Sequence, residues 1–191
     1  MGLAFIVDGQ QEKLVLQRLC SGAPVRTTNL NGKDVRLAVI AKTVATLIKL
    51  LKDRYFPVFI IVDREGRVET SQQIESYLRT HLAGLGIPAE AIVVSVPDRM
   101  LENWIIAGNP TCENDQLLSD IPTPISDGSN GKVLLKRLMR EKKMYYYETG
   151  NGVELFCKMD FRGAISRSVS FGRLYEQIAP YCPKLRSSAG L

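Results

Sequence analysis

Short continuous apolar runs alternate along this chain with longer stretches in which apolar residues recur every three or four positions. Leu3-Ala4-Phe5-Ile6-Val7 stops at Asp8-Gly9, the pattern of a strand buried on both faces and then a turn. Between Gln11 and Leu19 the residues Leu14, Val15 and Leu19 share one stripe, which predicts a helix closed by Gly22-Ala23-Pro24. Val35, Val39, Val44, Leu47, Ile48 and Leu51 then predict a long amphipathic helix from Lys33 to Tyr55, stopped near Pro57. A second apolar run, Val58-Phe59-Ile60-Ile61-Val62, ends in Asp63-Arg64-Glu65-Gly66, and a periodic stretch from Ser71 to Leu85 follows, stopping at Gly86. A third run, Ala91 to Val96, ends at Pro97-Asp98 and leads into a short helix from Met100 to Ala107. Strand, turn and helix in repeated order predict an α/β fold with a mainly parallel central sheet flanked by helices.

Beyond Gly108-Asn109-Pro110 the texture changes. Pro122, Pro124 and the cluster Asp127-Gly128-Ser129-Asn130-Gly131 mark loops, Lys132 to Lys143 reads as a basic helix, and two or three short helices are expected over Val153 to Ala179, with Ser168 or Ser170 as a cap. The end from Pro183 reads as frayed. The expected organisation is an α/β core over residues 1–108 and a helical C-terminal extension over 109–191, packed on the same domain.

Composition changes this picture little. With 191 residues, 45% of them apolar and 24% charged, the chain reads as an ordinary globular protein whose core needs neither metal nor disulfide. The net charge of +5 permits a polyanionic partner without demanding one. Cys20, Cys112, Cys157 and Cys182 form no C-x-x-C pair and His81 stands alone, so a zinc site of the usual kind is excluded and the cysteines read as reduced thiols of a cytoplasmic protein. No apolar run approaches the ~20 residues that span a bilayer. His81 reads as a surface residue and Trp104 as core.

The candidate chemistry lies where the apolar runs end. Each finishes at an acid, Asp8, Asp63 or Asp98, at the carboxyl edge where open parallel sheets bind ligands. Glu65 is two residues past Asp63, and Glu12 is one helical turn past Asp8. Two carboxylates about 4 Å apart repel by roughly 4 kcal/mol at an effective dielectric near 20, so such a cluster calls for a cation or raised pKa values. Hard oxygen ligands favour magnesium or manganese. Each acid also has a bland reading: Asp98 as a helix cap, Glu12 as a macrodipole partner, Glu65-Gly66 as a turn. Arg64, between the acids, reads as a structural ion-pair partner ahead of a phosphate contact. Lys132, Lys136, Arg140 and Lys143 fall on one helix face, which reads as a solvated face or as one that tracks phosphates, with Val133, Leu134 and Leu138 turned to the body. Tyr145-Tyr146-Tyr147 is expected to pack half-buried rather than to stack on bases.

At these residues the sequence resembles a known family. Val7-Asp8-Gly9-Gln10-Gln11-Glu12 resembles the V-E-G-x-T-E opening of TOPRIM-like nuclease domains, and Ile61-Val62-Asp63-Arg64-Glu65-Gly66 resembles their D-x-D strand end. The segment from Pro97 through Glu102 and Trp104 to Ala107 resembles the P-x-x-x-x-E-x-W-L-L-A segment of a small TOPRIM-like family of previously unknown function, encoded beside ATPases in bacterial phage defence. Lys158 and Ser168-Val169-Ser170-Phe171-Gly172-Arg173-Leu174 are similar to that family's closing S-x-S-F-x-R-L. The resemblance implies a TOPRIM-like domain that cleaves phosphodiester bonds of DNA or RNA with magnesium or manganese, as effector beside a partner ATPase. Its catalytic acids would be Asp8, Glu12, Asp63, Glu65 and Glu102, the first four as metal ligands. Arg64, Arg99, Lys132, Lys136, Arg140, Lys143 and Lys158 would meet nucleic acid; homo-oligomerisation stays open. The family's first acid is Glu where this chain has Asp8, and its second D-x-D acid is Asp where this chain has Glu65. These opposite changes in length either keep the metal by shifting it or mark a non-catalytic binding and assembly module.

Overall fold

In the computed structural model, which describes residues 2–30, 35–52, 54–109, 111–112, 115–116 and 127–188, the three apolar runs form parallel strands β1 (Gly2–Val7), β3 (Tyr55–Ile61) and β4 (Ile92–Ser95). The short strand β2 (Val25–Thr27) joins them in the order β2-β1-β3-β4, all parallel. Leu3 to Val7 and Val58 to Val62 are all buried, because helices cover both faces. The period-two pleat divides them: Leu3, Phe5, Val7, Phe59 and Ile61 enter one core, and Ala4, Ile6, Val58, Ile60 and Val62 the other.

Helices α2 (Leu37–Leu50) and α3 (Ser71–Gly84) cover the second core. Thr70 caps α3 in a reciprocal capping box with Gln73. The first core lies beneath α1 (Gln10–Leu19), α4 (Leu101–Ala107) and the C-terminal helices α5 (Gly131–Glu141), α6 (Val153–Lys158), α7 (Phe161–Arg167), α8 (Val169–Ile178) and α9 (Pro183–Ser188). The expected extension therefore shares its core with the strands, and Ser168 caps α8 by accepting the Phe171 N–H. A small antiparallel pair, β5 (Thr111–Cys112) with β6 (Asp115–Gln116), stands apart from the main sheet. Among the described residues no helix is long and apolar enough to cross a membrane.

Several expectations are corrected. The long helix is shorter than its periodicity suggests: it ends at Leu50, Lys52 turns left-handed at φ 52°, and Tyr55 joins β3 opposite Gly2. Its expected start at Lys33 lies outside the described residues, as do Pro122 and Pro124. Three-residue β2 escaped notice because it carries no apolar run; pairing with β1 creates it. Pro183–Ser188 form α9 rather than a frayed end, with Leu185 buried in the first core, and residues 189–191 of the expected frayed end lie outside the described residues. Nor are all the cysteines reduced, since Cys20 and Cys182 form a disulfide with Cα atoms 4.8 Å apart. A separation of 162 positions gives no spacing signal; the pair exists because α9 folds back beside α1. Cys157 is free, and the Cys112 side chain lies outside the described residues. Disulfides persist in oxidising surroundings, so the cysteines no longer argue for a cytoplasmic location. His81 is exposed and stacked on Tyr77, and Trp104 is buried, both as expected.

Candidate functional site: an acidic cleft at the carboxyl edge

Register alone brings the strand ends together. Val7 pairs with Thr27 on one side and Ile61 on the other, and Ile61 with Ser95, so Asp8, Thr28 and Asp63 emerge at one rim. Asp8 there accepts the Asp63 backbone N–H through Oδ2 at 3.1 Å and the Thr28 hydroxyl through Oδ1 at 3.2 Å. Beyond Asp63, Glu65 takes a left-handed φ of 55° and donates its N–H to the Arg99 carbonyl at 2.6 Å, which ties this turn to the loop before α4.

These acids line a cleft of about 460 Å³ together with Glu12, Glu102, Lys132, Glu148 and Thr149. The five acids that the resemblance implies as catalytic, Asp8, Glu12, Asp63, Glu65 and Glu102, thus face one space, joined there by Glu148, while Asp98 lies outside the lining. Glu12 sits in the first turn of α1 and folds back onto the N–H groups of Gly9 and its own residue. A β-carbon at Gly9 would stand 2.7 Å from Glu12 Oε2, so glycine is what leaves room for that fold-back. Glu102, in the first turn of α4, accepts the Tyr146 hydroxyl at 3.0 Å, and Tyr146 in turn accepts from the Gln11 amide at 2.9 Å. Lys132 opens α5 and pairs with Glu148 at 2.5 Å. Its helix reaches the cleft because Gly131 rests on the backbone of α4, where a β-carbon would stand 2.7 Å from the Asn103 nitrogen.

A second network holds α4 in place. Trp104 donates its indole N–H to Ser170 Oγ at 2.8 Å, and the Asp127 carboxylate accepts Ser168 Oγ at 2.8 Å and the Val169 N–H at 3.1 Å. The Trp104 and S-x-S-F residues therefore serve positioning: they pin α8 to the helix that presents Glu102.

Crowding of acids raises their pKa values. Burial pushes Asp8 up to about 6, against the lowering effect of its hydrogen bonds from Asp63 and Thr28. Burial, then the charges of Glu102 and Asp8, push Glu12 up to about 7. Asp63 is driven well above the carboxylate range by burial and by Glu12, Asp8, Glu102 and Glu65, and Glu102 upward mainly by burial. Burial opposes the charge on Lys132, but the hydrogen bond and charge of Glu148, with Glu102 and Glu65, outweigh it and raise its pKa.

Hard carboxylate oxygens fit magnesium or manganese in kind. Asp63 Oδ1 adds a specific mark, since it is buried without a hydrogen-bond partner, a condition that costs free energy and that a cation relieves. As the side chains stand, though, no group of three or more Asp, Glu, His or Cys among the described residues is arranged to hold an ion. The hydrogen bonds above explain this. Glu12 is turned to its helix terminus, Glu102 to Tyr146 and Asp8 to Thr28 and Asp63, so joint ligation requires side-chain rotation.

The basic candidates divide. Lys132 alone lines the cleft. Arg64 pairs with Asp98 at 3.1 Å, its structural reading, and Asp98 is not the expected helix cap, because Met100 occupies the N-cap of α4. Arg99 lies in the adjoining loop at φ 80°, outside the lining, and Lys158 is exposed at the end of α6. Lys136 and Arg140 are exposed along α5. Lys143 falls beyond the helix at φ 59°, so it leaves the expected stripe. The buried stripe of α5 is Leu135, Leu138 and Met139, and Val133, expected inward, is 62% exposed. Tyr146, Gln11, Thr28 and Glu148 were not foreseen at the site; the tyrosine triplet was the one signal pointing there. No family model, curated protein or solved structure matches this chain.

Proposed function

We propose that this protein is a divalent-metal-dependent phosphodiesterase acting on nucleic acid, built on a TOPRIM-like version of the parallel α/β fold. The observation that carries the reading is the convergence of Asp8, Glu12, Asp63, Glu65 and Glu102 on one cleft at the carboxyl edge, with Asp63 Oδ1 buried and lacking a hydrogen-bond partner. Magnesium or manganese held by Asp8, Asp63 and Glu65 would supply Lewis acidity and an activated water. Residues of the chain do the rest. Lys132 leaves Glu148 for a phosphate oxygen and offsets charge there. Glu12, with its raised pKa, is suited to exchange a proton with water or a leaving group near neutral pH. Tyr146 and Gln11 fix the rotamer of Glu102. The motif resemblance adds the partner ATPase and the role in anti-phage defence to the proposal.

The test is cleavage of plasmid DNA and of total RNA by purified protein with magnesium, with manganese and with EDTA, beside Asp63→Ala. Metal-dependent cutting that the variant loses is the expected result; cutting by Asp63→Ala at the wild-type rate removes these acids from the mechanism. A second reading, a non-catalytic module that binds nucleic acid or an ATPase, is favoured by the internal hydrogen bonds that already engage Asp8 and Glu102 and by the lack, among the described residues, of a group of three or more acids arranged to hold an ion. Calorimetric titration with manganese separates the two, because that module needs no Asp63-dependent ion.

A further inference from the structure

Tyr145 and Tyr147 are 75% and 64% exposed, while Tyr146 between them is buried with its hydroxyl in the Gln11–Glu102 network. The alternation is that of extended backbone, and Tyr147 has φ −123° and ψ 117°. Asn151 clamps this backbone from both sides, its Oδ1 accepting the Tyr147 N–H at 2.8 Å and its Nδ2 donating to the Tyr145 carbonyl at 2.6 Å. The two exposed rings are therefore carried on a fixed segment that continues directly into Glu148 and Thr149 of the cleft wall.

The same segment runs back along α5. The Met144 N–H bonds the Met139 carbonyl at 2.8 Å near the C-terminus of that helix, and Glu148 meets Lys132 at its N-terminus. Tyr145 and Tyr147 lie between these two tie points. Lys136 and Arg140 follow Lys132 at intervals of four, on the helix face that Lys132 shows to Glu148, and both are exposed. The exposed rings and the exposed cations thus sit on two segments tied together at Met139–Met144 and at Lys132–Glu148, and the second tie lies in the wall of the acidic cleft.

We propose that Tyr145 and Tyr147 form a stacking platform for the bases of an unpaired nucleic-acid strand, whose phosphates follow Lys136 and Arg140 toward the cleft. This rests on the phosphodiesterase reading and narrows its substrate class. Unpaired bases expose their faces, whereas a duplex keeps them stacked inside, and stacking on an aromatic ring tolerates any base. Charge alone does not select a single strand, because duplex phosphates satisfy Lys136 and Arg140 equally.

The experiment is fluorescence anisotropy with the full chain, in EDTA and again in calcium, using labelled oligothymidylate, oligouridylate and a DNA duplex of equal length. Tyr145→Ala/Tyr147→Ala is expected to weaken both single strands about tenfold or more while leaving the duplex unchanged. Tyr→Trp at both positions restores binding, and Tyr→Leu, equally apolar but without a π face, does not. Circular dichroism confirms folding, which these exposed positions do not threaten. Single-strand affinity untouched by the alanines, rescue by leucine, or a duplex bound as tightly as the single strands overturns the platform while nuclease activity, if seen, keeps the broader reading. Binding of none of the three probes overturns both. The two single-strand probes separate DNA from RNA.

Discussion

One face of the sheet is covered by α2 and α3, each of which precedes the next strand of the sheet, and its core runs from Ala4 and Ile6 to Leu78 and Val94, with the α3 side chains Ser71, Glu75 and Arg79 bonding backbone groups of residues 94–97. The opposite face is covered by α1 and by helices drawn from residues 101–188, and polar chains run through it: Gln11, Tyr146 and Glu102 at the cleft, Trp104, Ser170 and Asp127 behind it. The first face is made by local units and contributes stability. On the second, sequence-distant helices must dock in a fixed orientation, and directional hydrogen bonds supply what apolar contact alone leaves loose. The acids at the carboxyl edge depend on both, because β1 and β3 are clamped from each side while Glu12 and Glu102 arrive only on the second.

That contrast is testable by substitution, the cleft answering in activity and the α2/α3 face in stability. The largest effect is expected for Asp63→Ala, which should lower metal-dependent cleavage at least about a thousandfold, or about 4 kcal/mol of transition-state free energy, with thermal stability kept or raised. A variant that unfolds instead would make Asp63 a structural residue. Next comes Leu78→Ala on the opposite face: a fully buried leucine should cost about 2–5 kcal/mol in a urea titration, with unchanged turnover per folded molecule.

The third test uses pH. In the metal-free protein the native pKa values of Asp8, about 6, and Glu12, about 7, exceed their ordinary values of 3.8 and 4.5. The folded form therefore holds protons that the unfolded chain has released, so their contribution is complete below about pH 4 and is lost as pH rises through about 7. Glu12→Gln should be more stable than wild type by on the order of 3 kcal/mol at about pH 8 and equal to it near pH 4, measured by urea unfolding in EDTA. A constant difference across that range would contradict the buried-acid account. The smallest effect is expected for Ser170→Ala, which strips the Trp104 indole of its acceptor: about 1–2 kcal/mol of stability and a fall of a few fold in cleavage as α4 loosens. Its control on the other face is Thr46→Ala, whose exposed hydroxyl only bonds the Lys42 carbonyl and should change neither.

Much of the cleft was legible because each apolar run ends at an acid, which marks the carboxyl edge of the sheet. Asp8 and Asp63 were placed by strand ends, and Glu12 and Glu65 by short local offsets. Tyr146 was not, since a triplet of tyrosines does not say which ring turns inward; packing against Gln11 and Glu102 selects it. Lys132 and Lys143 looked equivalent by spacing, yet one lines the cleft and the other sits past the helix end.

By itself the sequence determined the strand–helix order, the parallel sheet and the acids at its carboxyl edge, because hydrophobic period and strand termini are local properties of the chain. Only tertiary structure decided the Cys20–Cys182 disulfide, the pairing that makes β2, the inward turn of Tyr146 and the hydrogen bonds that engage Asp8 and Glu102. Each depends on residues far apart in the chain meeting in space, and no local pattern encodes such a meeting.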